Sequence, residues 1–400
     1  MYNSGGKTIY SIIAAILIFL FIKPYFLWNL HNTTSLFFFL GVFLFLVFFP
    51  NVDIKSKKRE GLFILFAILL LLYSFYNNLN VFGFICNLCY IIIPFSKKQF
   101  AINTYNYFLT IYSIIIGVSS IVWILSLIGV VHPIGVISPL NELKGFNYSV
   151  YPMLVQANVL VDLHRFSGPF DEPGVIGTIS TLVLTIGKFN VRDKRLMIVF
   201  ITGFLTMSFF YTFSVLVYYI VYIFTISKDK KLGFFLLFIL SLLVEASLNN
   251  ELLYDRLWSR FIWDTDSGSF AGDNRLTDNS RILLEKIAGT SAFYFGIGKT
   301  DAFIKATEGE FSLFNTIIQY GVIYVLFYIY FFAAYGWKYK INFIVYSLFF
   351  FVLLACLYQR PALFQPEYLF LFSLMAMSCG NLLENEETGK QSLYEFKQIN

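Results

Sequence analysis

From Leu36 to Phe49 no residue is polar, and runs of this kind recur along the whole chain, broken by charged residues or by proline and glycine. Such a run has no hydrophilic side to turn toward water. A bilayer core of about 30 Å needs roughly 20 apolar residues per helix, fewer where neighbours bury the ends. Composition agrees: 58% of the 400 residues are hydrophobic and only 13% are charged, against about 45–50% and about 25% in soluble domains. Mean hydropathy is +0.70. There is too little charge to cover a water-facing exterior, which excludes soluble enzymes, secreted disulfide scaffolds, nucleic-acid binders and disordered regulators. The fold class expected is an all-α polytopic membrane protein.

Reading the apolar runs between breaks gives twelve candidate spans, near residues 8–23, 34–50, 61–77, 80–96, 106–131, 173–188, 196–209, 212–227, 232–247, 313–336, 341–357 and 368–381. Leu196 to Ile226 reads equally as one long helix. Charge decides for two, because Arg192, Lys194 and Arg195 precede this stretch and Lys228, Lys230 and Lys231 follow it, and both clusters belong on the cytoplasmic side. A hairpin is therefore expected. With both termini cytoplasmic, the short cytoplasmic segments hold eighteen of the 29 basic residues. The other face keeps only Lys23, Lys144, Arg165 and Arg360 outside one long loop, and long loops cross largely regardless of charge. The net charge of +5 is informative only once divided in this way. The N-terminal run does not read as a cleavable signal peptide, since no small-residue cleavage site follows Phe21 and Lys23-Pro24 interrupts it.

The expected organisation is a single transmembrane domain over 1–381 and a cytoplasmic tail over 382–400. All four cysteines, Cys86, Cys89, Cys356 and Cys379, fall inside candidate spans. With no His or carboxylate near the Cys86-x-x-Cys89 pair, they read as small packing residues and imply no disulfide. The three histidines, His31, His132 and His164, are widely separated, and no zinc-ligand spacing occurs. No metal site is expected.

Polar residues are costly in this setting, so their concentration in two extracytoplasmic loops, 132–172 and 248–312, points to function. In the second loop, Leu253, Leu257 and Phe261 with Tyr254, Trp258 and Ile262 form one face of an amphipathic helix, an interfacial element or a lid on the bundle. Asp278-Asn279-Ser280 offers caps to a helix over 281–287 that Gly289 closes. Arg281 and Glu285, four apart, are placed to pair. Gly296-Ile297-Gly298-Lys299-Thr300 is no phosphate loop, because Phe293 stands where the first glycine is needed. It reads as a glycine turn.

The densest polar stretch is His164-Arg165-Phe166-Ser167-Gly168-Pro169-Phe170-Asp171-Glu172-Pro173-Gly174. It sets a fixed cation and two carboxylates around glycine and proline turns at the mouth of the sixth span. A guanidinium keeps its proton and grips phosphate through two parallel bonds, so Arg165 suits a diphosphate head group. Gly168 and Gly174 permit close backbone approach, and a helix starting at Pro173 points its positive dipole end at the same place. An equal alternative is that Arg165 merely neutralises Glu172.

This run resembles the Arg-x-x-Gly-x-Phe-x-x-Pro signature of the Wzy family, the bacterial O-antigen and capsule polymerases related to O-antigen ligases. The second loop is similar too: Arg281 ahead of a short helix, Phe293 and Phe295 approaching Gly296 and Gly298, then Ser312, Asn315 and Gly321 around the start of a span. About twelve spans with a large outer loop before the tenth also fit, a GT-C-like arrangement. The likeness covers most of the chain in organisation but a short part of it in motif. What it implies is a membrane glycosyltransferase whose donor is an oligosaccharide on undecaprenyl diphosphate and whose acceptor is another lipid-linked repeat, in lipopolysaccharide or capsule biosynthesis.

On that resemblance, Arg165 and Arg281 stabilise the leaving diphosphate without a cofactor, and Glu172 takes the proton of the attacking hydroxyl, with Glu310, Asp171 and His164 as further candidates. Gly168, Asp171, Pro173, Gly174, His164, Glu310 and Arg360 are the expected substrate contacts. Transfer is expected to be metal-independent and inverting. A flippase and a chain-length regulator are the expected partners, and nucleic acid is not. One departure stands out: ligase-type relatives often carry a His shortly before the span after the large loop, where this chain has Glu308, Glu310, Ser312 and Asn315. That favours a polymerase over a ligase. A transporter remains as an alternative, but no clear internal repeat is visible and intramembrane charges are few, Glu245 being an exception.

Overall fold

The computed structural model describes residues 4–28, 30, 33–54, 56–138, 147–157, 165–190, 192–225, 278–307, 312–361 and 363–379, with scattered residues between 234 and 270. Helices α1 (Ser4–Phe21), α2 (Thr33–Phe48), α3 (Lys57–Tyr76), α4 (Val81–Tyr90) and α5 (Lys98–Leu127) come first. Strands β1 (Gly135–Ile137), β2 (Tyr148–Tyr151) and β3 (Leu154–Ala157) precede α6 (Pro173–Ile186), α7 (Lys194–Leu205) and α8 (Phe209–Thr225). A short pair, β4 (Trp263–Asp264) and β5 (Ser269–Phe270), is followed by α9 (Asp278–Ile287), α10 (Ser291–Phe295) and α11 (Asp301–Thr307). The chain then forms α12 (Leu313–Tyr320), α13 (Val322–Tyr339), α14 (Phe343–Gln359) and α15 (Pro366–Met377).

Local chemistry marks the helix starts. Ser56, Asn80, Asp193, Ser312 and Asn342 accept hydrogen bonds from the exposed N–H groups that open α3, α4, α7, α12 and α14. Proline, with no N–H to leave unpaired, opens α6 and α15. Every residue of α15 is buried, and so is every residue of α6 except Gly174. A helix buried all round belongs in the centre, and these two pack against each other with α1, α13, α14 and α8 around them. Tyrosine hydroxyls inside the apolar interior bond to carbonyls: Tyr324 to Leu69 at 3.1 Å, Tyr328 to Leu363 and Tyr335 to Pro94. That satisfies the one polar atom each ring carries in a setting without water.

Helices α3 and α5 are each long and apolar enough to cross a membrane, and α12 with α13 makes a third if the bent pair is one span. The remaining apolar helices are shorter. The hairpin expected within 196–226 is present, α7 and α8 being separated at Thr206–Ser208. The span expected near 232–247 and the amphipathic helix expected over 253–262 lie largely outside the described residues.

The structure is mostly helical, compatible with the all-α membrane fold expected, and the described part of the first long loop adds a small antiparallel sheet of order β1-β2-β3. Two expectations need correction. The fourth candidate span is only partly helical: α4 ends at Tyr90, and Pro94 sits in a following 3-10 turn. The candidate span 313–336 is broken at Gly321, where α12 and α13 meet at 115°.

A group of basic residues between the helices collects at one end. Arg59 pairs with Asp53 and donates to the Tyr339 hydroxyl at 2.6 Å, and Lys338 lies in the field of Arg59 and Lys58. Ile341 donates to the carbonyl of Cys379, which lies in the field of Lys188, itself close to Lys98, while Lys97 donates to the Asn51 carbonyl. The β-sheet, the start of α6 and the Arg360 connection lie at the opposite end.

Candidate functional site

The turn leading into α6 is fixed to the bundle by what it buries. Phe166 and Phe170 are both fully buried, Phe166 edge-on to Trp123 of α5 and Phe170 against Phe19 of α1. The backbone is tied on three sides: Val155 of β3 donates to the Gly168 carbonyl at 2.9 Å, Tyr25 to that of Pro169 at 2.8 Å, and Phe166 to that of Leu205 at 3.1 Å. The Ser167 hydroxyl donates to the Val155 carbonyl, and the Tyr148 hydroxyl to that of Asp171 at 2.9 Å. Gly168 has φ +56°, and a Cβ there would sit 2.8 Å from the Ile176 side chain. The apolar and small residues of the run are thus anchors, and its charged residues form the rim.

On that rim, Arg165 donates through Nε to the Thr206 carbonyl at 3.1 Å, which ties it to the α7–α8 hairpin. Glu172 precedes Pro173 and forms an ion pair with Nη2 of Arg360, which follows α14. Gly174 makes room for that pair, since a Cβ would stand 3.1 Å from Nη2. The side chains of Arg360 and Glu172 are 23% and 40% exposed, so a ligand can reach the pair. The Nε of Arg360 is buried and has no hydrogen-bond partner. Burial opposes the guanidinium charge, but Glu172, Tyr368 and Asp171 together outweigh it and hold its pKa above the ordinary value.

The second loop builds a separate unit. In α9, Arg281 is half-buried, and no ion pair with Glu285 is recorded among the described residues. The same helix buries Ser280, whose hydroxyl donates to the Ala306 carbonyl at 3.1 Å, and packs against α10, α11 and α12. The glycine turn expected at 296–298 is present and seats against the break between α12 and α13. Ile297 donates to the Ile318 carbonyl at 3.0 Å and Gly298 to that of Gln319 at 2.9 Å, which satisfies carbonyls that a straight helix would have used. Gly296 and Gly321 have φ of +76° and +84°. A Cβ on Gly296 would lie 2.3 Å from the Gln319 carbonyl oxygen, and one on Gly321 2.2 Å from that of Tyr294. Backbone meets backbone here, and only glycine fits.

The end of α3 closes over this seat. Tyr76 donates to the Phe295 carbonyl, Asn77 to the Tyr320 hydroxyl at 2.7 Å, and Gln319 to Asn77 at 3.1 Å.

The structure therefore brings Asp171, Glu172, Gly174 and Arg360 together at the start of α6, with Arg165 earlier in the same turn tied to the α7–α8 hairpin. Arg281 stands on the neighbouring unit, linked to them through α12, whose Phe314 meets Tyr358, two residues before Arg360. His164 and Glu310 lie outside the described residues. Sequence reasoning named Arg360 but missed its pairing with Glu172, and missed the tyrosines and Asn77 around the 296–298 turn. The only available signal was that Arg360 is one of few cations on its side of the chain outside the long loop. Among the described residues no three of His, Cys, Asp or Glu come together to hold a metal.

By fold, then, the chain belongs to the helical proteins with helices fit to span a membrane. No family profile, curated protein or solved structure matches it.

Proposed function

We propose that the protein is a polysaccharide polymerase of the bacterial inner membrane, joining undecaprenyl-diphosphate-linked oligosaccharide repeats of an O-antigen or capsule on its outer face. The observation that carries this reading is the Arg165–Gly174 turn, which sets Arg165, Asp171, Glu172 and Arg360 around the N-terminal end of a central helix. In this proposal the basic end is cytoplasmic and the α6 end faces outward, with some twelve spans overall.

The bond to break joins the anomeric carbon to a phosphate oxygen, and its electron pair leaves with the diphosphate. Arg165 and Arg281 take that growing negative charge, and the dipole of α6 adds to it. The acceptor hydroxyl forms the new bond from the opposite face, which inverts the anomeric centre, and its proton passes to Glu172. Donor phosphate competes with Glu172 for Arg360, so donor binding releases the carboxylate for this task. The lipid diphosphate is already an activated leaving group, so the step consumes no nucleotide.

Purified protein in vesicles, given single lipid-linked repeats and no lipid A core, is expected to make a ladder of longer lipid-linked products. A ligase would make none. Arg165→Ala and Arg281→Ala are each expected to lower the rate on the order of 100-fold, the scale of losing one charge-stabilising group. Lys at either position recovers little, since it keeps charge but lacks the fork. A full ladder from both alanine variants would assign the two arginines to structure.

A further inference from the structure

Glu367 is the second residue of α15, and only 3% of it is exposed. The connection leading to it packs Phe364 against Phe66 and Tyr73 of α3, with ring centroids 5.3 and 4.8 Å apart, so α15 starts alongside a helix long enough to cross a membrane. The Oε2 atom of Glu367 is buried and has no hydrogen-bond partner. Packed on α15 are α1, α5, α6, α13, α14 and the 3-10 turn at Ile93–Phe95. Among the described residues, Lys23 beyond the end of α1 is the one charged group whose field reaches the carboxyl, and the hydroxyls of Tyr90 in α4 and Tyr368 in α15 also lie in its field. A helix start favours negative charge, but taking an unpaired carboxylate out of water costs more than the dipole returns. A carboxyl so placed keeps its proton until a cation comes into contact. Lys23 is near but not in contact: its Nζ rests 5.6 Å from the Phe37 ring centroid, and no ion pair to Glu367 is recorded among the described residues. Lys23 is exposed and has φ +61°, a left-handed conformation costly for a residue with a Cβ, and the Trp28 indole donates to its carbonyl at 3.0 Å.

We propose that Glu367 is a proton-binding site and that Lys23 becomes its counter-ion once the proton leaves. With the proton bound, the carboxyl is neutral and Lys23 stays over Phe37, where the ring face attracts the ammonium group. When the proton passes to water, the carboxylate draws that ammonium group away from Phe37 into an ion pair, which ties the end of α1 to the start of α15. The contact reaches the rim by a short route. Lys23 leads through Pro24 to Tyr25, whose N–H holds the Pro169 carbonyl at 2.8 Å, in the turn that carries Glu172. Nothing in this pairing depends on which substrate the protein uses.

The test uses the full-length protein in vesicles, followed by infrared difference spectroscopy as pH is raised. One carboxylic-acid carbonyl band of the wild type is expected to vanish along the titration and to be missing at every pH in Glu367→Gln. In Lys23→Gln that band is expected to persist to a pH about one unit higher or more, the scale of losing an opposite charge within about 4–6 Å, while Lys23→Arg stays close to the wild type. A wild-type spectrum with no band that Glu367→Gln lacks overturns the proton site, and so does a band that never titrates. Equal midpoints in wild type and Lys23→Gln overturn the counter-ion role. If Glu367→Gln does not fold, wild-type protein decides. Dicyclohexylcarbodiimide attacks protonated carboxyls in apolar surroundings, and mass spectrometry is expected to find Glu367 modified in acid and about tenfold less modified one pH unit above the midpoint. No modification at Glu367, or modification that ignores pH, overturns the proposal. None of these readouts uses polymer synthesis, so a failure here leaves the ladder assay to judge the polymerase reading by itself.

Discussion

Arg360 and Glu172 stand 188 positions apart and meet in an ion pair at the start of α6. Nothing local in the sequence announces that contact, which depends on α14 and α15 lying beside α6. Pro173, by contrast, was legible as a helix start because its fixed φ and missing N–H suit the first helical position and few others. The rim residues were legible as chemistry, since a cation and two carboxylates crowd one short run, but not which carboxylate meets which cation. The pairing makes a prediction. Glu172→Gln removes the negative partner of Arg360, so donor binding is expected to tighten or stay level while turnover falls roughly 100-fold, within the usual range for losing a general base. Donor binding is read by competition with labelled prenyl diphosphate and turnover by ladder growth. Unchanged turnover would take Glu172 out of the proton-transfer role and leave it as a counter-ion.

Among the elements, those set by one short stretch of sequence were readable and those set by a distant partner were not. Clusters of Lys and Arg on both sides of 196–226 called for a hairpin, and α7 and α8 form one. The break at Gly321 escaped because apolar residues continue on both sides of it. Its cause is the 296–298 turn, which arrives from another part of the chain and takes the Ile318 and Gln319 carbonyls. The sheet was hidden for a related reason: β1 to β3 are three or four residues each, too short for alternation to show. Gly321→Ala is expected to lower stability by about 1–3 kcal/mol from backbone strain alone, with the overlap on Tyr294 adding to it. Thermal unfolding in detergent, followed by tryptophan fluorescence, measures the loss. Ala at Gly135, where nothing lies within 4 Å of a Cβ, serves as the control and is expected to leave the melting temperature unchanged.

At the scale of the whole molecule, six described cations, Lys58, Arg59, Lys97, Lys98, Lys188 and Lys338, gather at the end away from the sheet and the Arg360–Glu172 pair, while Arg165 and Arg360 stand at the sheet end. Which of these ends faces the cytoplasm is the part of the proposal that labelling decides. In right-side-out vesicles of a variant lacking native cysteines, a cysteine at Gly135 is expected to react with a membrane-impermeant maleimide, while one at Lys97 reacts only after permeabilisation. The reverse pattern would turn the site to the cytoplasm and remove the proposed lipid-linked substrates from its reach.

The seat where Gly296 faces Gly321 carries a consequence for how such a chain can vary. Both partners present bare main chain, so no compensating side-chain change on one can accommodate enlargement of the other. Drift at this junction is blocked in both directions, while exposed positions such as Gly135 and Val136 in β1 remain open to replacement. Among the described residues, these two of the smallest are where random mutagenesis should find the least latitude.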